Sequence, residues 1–141
     1  MSTPLRVVLD TNVLLVSFSE GSPFHWVFQA VASGRATLCL STEIALEYEE
    51  VVADHMGREV ADALMSFLDG TPFVSWTHTR YRWRLVPSDP DDDKFADCAV
   101  ATGATIVTEN RHFDALRSVD FPPVRVVGIE GFRELLAAAE A

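Results

Sequence analysis

Apolar residues along this chain fall into short unbroken runs separated by stretches of helical spacing, and that alternation organises everything else. Val7, Val8 and Leu9 make the first run, inside a predicted strand from Arg6 to Leu9. An unbroken run suits a strand buried on both faces, as in a parallel sheet; a half-exposed strand would alternate. Asp10-Thr11-Asn12 follows, and Val13-Leu14-Leu15-Val16 begins a helix that Gly21-Ser22-Pro23 interrupts. A second helix is predicted from Phe24 to Ser33, with Gly34 as its stop. Ala36 to Leu40 reads as the second strand, and Ser41 caps a helix running to about His55, with Glu43 well placed in its first turn. A further helix spans about Glu59 to Leu68. The turn Asp69-Gly70-Thr71-Pro72 leads into a third strand, Phe73 to Thr77. A polar loop from Ser88 to Asp92 opens a helix from about Asp93 to Thr102, closed by Gly103. Thr105 to Thr108 is the fourth strand, Phe113 to Ser118 a helical turn, Val124 to Val127 the fifth strand, and Glu130 to Ala139 the terminal helix.

Strands alternating with helices predict an α/β fold, a three-layer α/β/α sandwich with a parallel central sheet of about five strands. The 141 residues suit one domain, 1–141, and 48% hydrophobic residues supply its core. In such sheets the functional crevice lies beyond the carboxyl ends of the strands. Asp10, Ser41 and Thr108 all occupy such places.

Composition narrows the class. No apolar run approaches the roughly 20 residues that span a bilayer, and Met1 to Arg6 lacks a secretory segment, so the expectation is a cytoplasmic protein without membrane association. Cys39 and Cys98 sit in apolar runs without CxxC spacing and read as reduced core thiols. The net charge of −10 excludes a general nucleic-acid coat, whose affinity comes from lysine and arginine. It leaves room for a nuclease whose carboxylates hold cations that meet the phosphate in their place.

Three acidic regions compete between structural and chemical readings. Asp10 follows a buried strand, where a charge is costly unless it is paired, hydrogen-bonded or bound to metal; helix capping and metal binding both suit it, with Asn12 orienting the loop. Glu43, Glu47, Glu50 and Asp54 line one side of a helix as a solvated face, but Ile44 and Val51 place Glu47 near the buried edge. Between Asp89 and Asp97 fall five of the 21 acids, more than capping needs, with only Lys94 to offset them. Asp92 aligns with Ala96 and Ala99 and so points inward or at a boundary. Three separated acids reaching one crevice suit Mg²⁺ or Mn²⁺, and phosphodiester hydrolysis is the chemistry that fits. The four histidines, His25, His55, His78 and His112, show no HExxH-type pairing and read as surface or boundary residues.

The segments Val7-Val8-Leu9-Asp10-Thr11-Asn12-Val13-Leu14, Ser41 to Val51 and Asp89 to Phe113, with sixteen residues from Asp92 to Thr108, together resemble the PIN-domain family, and within it the branch of VapC-type toxins. The resemblance implies a PIN-like sheet, an acidic pocket for Mg²⁺ or Mn²⁺, and an endoribonuclease that hydrolyses RNA. Carried over by position, Asp10, Glu47 and Asp92 are the catalytic acids. Those three with Asp93 and Asn110 are the metal ligands, and Asn12, Thr108 and Arg111 contact substrate. Asp97 is a nearby alternative acid. The chain departs at Asn110, where many members carry a fourth acid, which leaves one or two metals open and Asp114 as a compensating group. The expected partners are RNA and a small antitoxin protein. A homodimer contact is assigned to Leu135-Leu136-Ala137.

Arg80, Arg82 and Arg84 alternate with Tyr81 and Trp83, which in an extended chain puts arginines and aromatics on opposite faces, as an RNA rail or a solubilised edge strand. Two further functions stay open: a PIN-like module that binds RNA or protein without cutting, and an aspartate-dependent phosphatase. Asn12 speaks against the phosphatase, which usually wants a second aspartate there.

Overall fold

The computed structural model describes residues 4–86 and 89–140. Strand β1 (Leu5–Leu9) leads to helices α1 (Thr11–Phe18) and α2 (His25–Ala32), then β2 (Ala36–Leu40), α3 (Thr42–Met56), α4 (Arg58–Gly70) and β3 (Val74–Trp76). A 3₁₀ turn, Pro90–Asp92, runs into α5 (Asp93–Thr102), followed by β4 (Thr105–Val107), a second 3₁₀ segment (Arg111–Ser118), β5 (Val126–Val127) and α6 (Ile129–Glu140). The five strands are all parallel, in the order β3-β2-β1-β4-β5. This is the α/β/α arrangement the apolar pattern predicts.

The unbroken run behaves as a centrally buried strand must: Val7, Val8 and Leu9 are all buried, with β2 on one side and β4 on the other. Leu9 pairs with Val107, so β1 and β4 end level with each other. The chain leaves β1 toward β2 and later returns to β4 on the opposite side, which opens a crevice between these two carboxyl ends. Asp10 and Thr108 stand at its lips. Helix α5 packs on β1, β2 and β4, and α6 on β1 and β5. Trp26 of α2 stacks on Phe132 of α6 at 5.7 Å between ring centroids.

Several boundaries move. Helix α1 begins at Thr11 because Asp10, rather than Asn12, is its cap, accepting from the Val13 amide at 3.1 Å. Strand β5 contracts to Val126–Val127 and β3 to Val74–Trp76, the stretches where a neighbouring strand is present to pair. The arginine-aromatic alternation forms no strand: beyond Thr77, whose amide still donates to the Leu40 carbonyl at 2.9 Å, the described residues to Val86 run without sheet pairing, Arg84 takes a positive φ of 54°, and Tyr81 and Trp83 pack against each other at 4.5 Å. Their rings therefore do not stand on a pleated face opposite the arginines. Of the polar loop drawn from Ser88, residues 87 and 88 lie outside the described residues. In α6, Leu136 is buried in the core and Leu135 half-buried, so the stretch assigned to a dimer contact turns its main apolar group inward.

Candidate metal centre

Each candidate acid reaches the crevice on a different element. Asp10 is 5% exposed and bonded on both carboxylate oxygens: Oδ1 caps α1, and Oδ2 accepts from the Thr108 hydroxyl across the β1–β4 crevice. Thr108 is buried as well, and its Oγ1 in turn accepts from the Asn110 amide at 2.9 Å. One threonine thus ties the end of β1 to the loop after β4.

Glu47 arrives from α3. The Tyr48 hydroxyl next to it donates to the Leu9 carbonyl, pinning α3 to the end of β1. Glu47 Oε2 accepts from the Thr11 hydroxyl, and Oε1 lies 2.7 Å from Lys94 Nζ. Glu47 therefore joins the site through Thr11 and carries its own counter-charge. Lys94 also donates to the Asp91 carbonyl at 2.6 Å.

Asp92 closes the crevice from the start of α5. Its Oδ2 lies 3.5 Å from the Asn110 amide nitrogen and 3.4 Å from His112 Nδ1. Burial pushes its pKa up, as do the charges of Asp89 and Asp10, while His112 acts in the opposite direction. Asp89 accepts from the Asp91 amide through Oδ1 and turns Oδ2 toward His112, at 3.6 Å. Among the described residues, Asp89, Asp92 and His112 form the group whose ligand atoms all lie within 4.8 Å of one another. Asp10 acts on Asp92 without entering this group, and Glu47 is tied to Thr11 and Lys94.

The remaining assigned residues have different places. Asn110 spends its side-chain oxygen on the His112 amide, at 2.9 Å, capping the 3₁₀ segment; its nitrogen, and not its oxygen, faces Asp92. Asp93 accepts from the Val86 amide and Asp97 from the Trp83 amide, both at 3.0 Å, so these two acids fasten the preceding loop to α5. Asp97 is buried, which raises its pKa; the Trp83 bond lowers it in part. Asn12 is exposed beside a mainly apolar groove that Val13, Val16, Phe24 and Ile129 form next to Asp10 and Asn110. Arg111 is exposed on the neighbouring surface, and Asp114 pairs there with Arg117.

Asp89, Lys94 and His112 are site neighbours that carry no role among the assigned residues. Their signals were present: Lys94 is the chain's single lysine, set in its densest acid run, and His112 follows Asn110 by two residues.

A family model described as PIN domain matches residues 6–112. No curated protein matches the chain. Among solved structures it is similar to VapBC2 from Rickettsia felis bound to a DNA fragment from their promoter, at 17% identity over 88% of this chain and 98% of the other, with a TM-score of 0.61. DNA-bound VapBC from Salmonella typhimurium gives 17% identity, coverage of 89% and 98%, and a TM-score of 0.59. FitAcB from Neisseria gonorrhoeae gives 16%, coverage of 88% and 98%, and 0.57. At these identities the likeness is one of fold.

Proposed function

The chain belongs to the PIN domain family, and from that premise we propose that it is a cytoplasmic, Mg²⁺- or Mn²⁺-dependent endoribonuclease hydrolysing RNA phosphodiester bonds, the toxin partner of a small antitoxin protein. The observation that carries the catalytic reading is the convergence of Asp10 and Asp92 on one crevice, with Thr108 bonded to Asp10 and to the Asn110 backbone, and the Asn110 side chain 3.5 Å from Asp92.

The donor set fits a hard divalent cation. Asp10 is buried and Asp92 largely so; burial first, and then the charges of Asp89 and Asp10, raise the Asp92 pKa, a repulsion that a cation relieves. Asp10 and Asp92 would hold it, with Glu47 at the border. When bound, such an ion supplies positive charge to a phosphate and acidifies a coordinated water. This chain's own residues do the rest. Thr108 fixes the Asp10 carboxylate, Thr11 and Lys94 fix Glu47, and the Asn110 amide is available to donate to an anionic oxygen. Asn12 and Arg111 stand on the two exposed flanks, where a strand of RNA would meet them. The antitoxin assignment draws on the VapBC and FitAcB folds and on the apolar groove beside Asp10.

Two variants test the proposal. Asp10→Asn keeps an oxygen to cap α1, and Asp92→Asn removes a charge that burial already disfavours, so both are expected to fold. Mn²⁺-dependent cleavage of single-stranded RNA should fall to background in each. Cleavage that persists in both would reject the site. A second reading, a PIN module that binds RNA without cutting, is favoured by the Lys94–Glu47 pair; retained RNA binding with no cleavage by the unmodified protein in Mn²⁺ or Mg²⁺ would select it.

A further inference from the structure

We propose that Asp89 and His112 join Asp92 in a cation site adjoining Asp10, in which the His112 imidazole is a nitrogen ligand and the ion taken is a first-row transition metal in preference to Mg²⁺. This rests on the metal-dependent reading above and goes beyond it by naming a new ligand and the class of ion it selects.

The first support is how the three groups are held. Asp89 is anchored by Oδ1 on the Asp91 amide, which leaves Oδ2 turned inward. The backbone of His112 is anchored by the Asn110 side chain, which leaves the ring to swing toward the acids. The ring nitrogen of His112 reaches both Asp89 and Asp92. Backbone bonds thus supply the orientation, and one ligand atom of each residue converges on a common point.

The second support is spacing. His112 Nδ1 stands 3.4 Å from Asp92 and 3.6 Å from Asp89, beyond the roughly 2.7–3.2 Å of a well-formed N–H···O bond. Neighbouring ligands of an octahedral ion with bonds of about 2.1 Å lie about 3.0 Å apart, and opposite ones about 4.2 Å. The two histidine separations fall between these neighbouring and opposite spacings, and with all three atoms inside 4.8 Å a closure of a few tenths of an ångström brings them onto one ion. His112 and Asp89 are both partly exposed and have room for the small closure required.

The third support is donor chemistry. A purely carboxylate site suits Mg²⁺ and Mn²⁺ alike, whereas an imidazole nitrogen favours transition ions over Mg²⁺. Asn110 brings no charge, and its oxygen is committed to the cap. The ligand lacking at that position is supplied two residues later, as nitrogen.

Mn²⁺ is the probe, applied to the full chain, to His112→Gln and to Asp89→Asn, which retains the Asp91 cap. Spin-echo spectra of bound Mn²⁺ should carry a ¹⁴N coupling that His112→Gln abolishes. Calorimetry should show Mn²⁺ affinity at this site falling at least about tenfold in either variant, while Mg²⁺ affinity in His112→Gln changes less than about twofold. Mn²⁺ bound with equal affinity and no nitrogen coupling in all three proteins overturns the His112 site and leaves the nuclease proposal standing. Absence of Mn²⁺ binding to the unmodified chain overturns both. Loss of RNA cleavage in Asp10→Asn with the ¹⁴N signal retained supports ligation by His112 that does not depend on the Asp10 charge.

Discussion

Thr108 carries more of the site than its chemistry suggests. Its hydroxyl donates to Asp10 and accepts from the Asn110 amide, so a single oxygen satisfies two groups that would otherwise be buried without a partner. Valine has nearly the same shape and offers neither bond. Thr108→Val should destabilise the fold by about 1–3 kcal/mol in urea unfolding, the usual cost of orphaned buried polar groups. It should also lower RNA cleavage by up to about a hundredfold, because Asp10 is then free to leave its position. Normal cleavage with lowered stability would make Thr108 a structural residue only. Asp10 itself shows why capping and chemistry need not compete: one carboxylate oxygen serves the helix, and the other faces the crevice.

The connection from α2 to β2 turns on Gly34, whose φ of +83° lies in the region that side chains with a Cβ rarely adopt. A Cβ there would also meet the Phe73 ring at 2.8 Å. Gly34→Ala combines backbone strain with a ring that must move, so a loss of roughly 1–3 kcal/mol is expected in chemical denaturation, with β2 and β3 the strands disturbed. An unchanged midpoint would show that the turn relaxes freely. The gly-stop at this position was legible in the sequence, as were the cap at Ser41 and the stop at Gly103, because each depends on local conformation. The loop preceding α5 was not. Its alternation of arginine and aromatic residues imitates a strand, but the order in the sheet leaves β3 at the edge, and two aspartates on α5 take the amides that a sheet would have used.

For the whole molecule, the decisive quantity is the charge of −10 gathered in part around one crevice. Asp92 and Asp97 both have pKa values raised above the ordinary 3.8, first by burial. The folded state therefore holds these protons more tightly than the unfolded chain does. The resulting stability is present below pH 3.8 and is lost as the pH rises through each raised folded value. A bound cation works in the opposite sense at Asp92, favouring the ionised carboxylate. Mn²⁺ at a hundred times its dissociation constant should add about 2.7 kcal/mol to the folded state at neutral pH. The thermal shift should vanish near pH 3.8, where protons compete for the ligands, and on chelation. A shift independent of pH would place the ion elsewhere. Among the described residues no helix is long and apolar enough to cross a membrane.

What the sequence determined by itself is what local periodicity encodes: parallel strands from unbroken apolar runs, helices from their spacing and caps, and Asp10 at a strand's carboxyl end. The order of the segments also carried the family likeness. Only the tertiary structure decided which side chains share the crevice, because the residues concerned lie far apart along the chain and meet through sheet order. It separated Asp93 and Asp97, which hold a loop, from Asp92, which faces Asn110 and His112. It also turned the oxygen of Asn110 to a helical cap and set His112 against Asp89 and Asp92, since an amide's orientation and a ring's direction follow from hydrogen-bond partners that no residue spacing specifies.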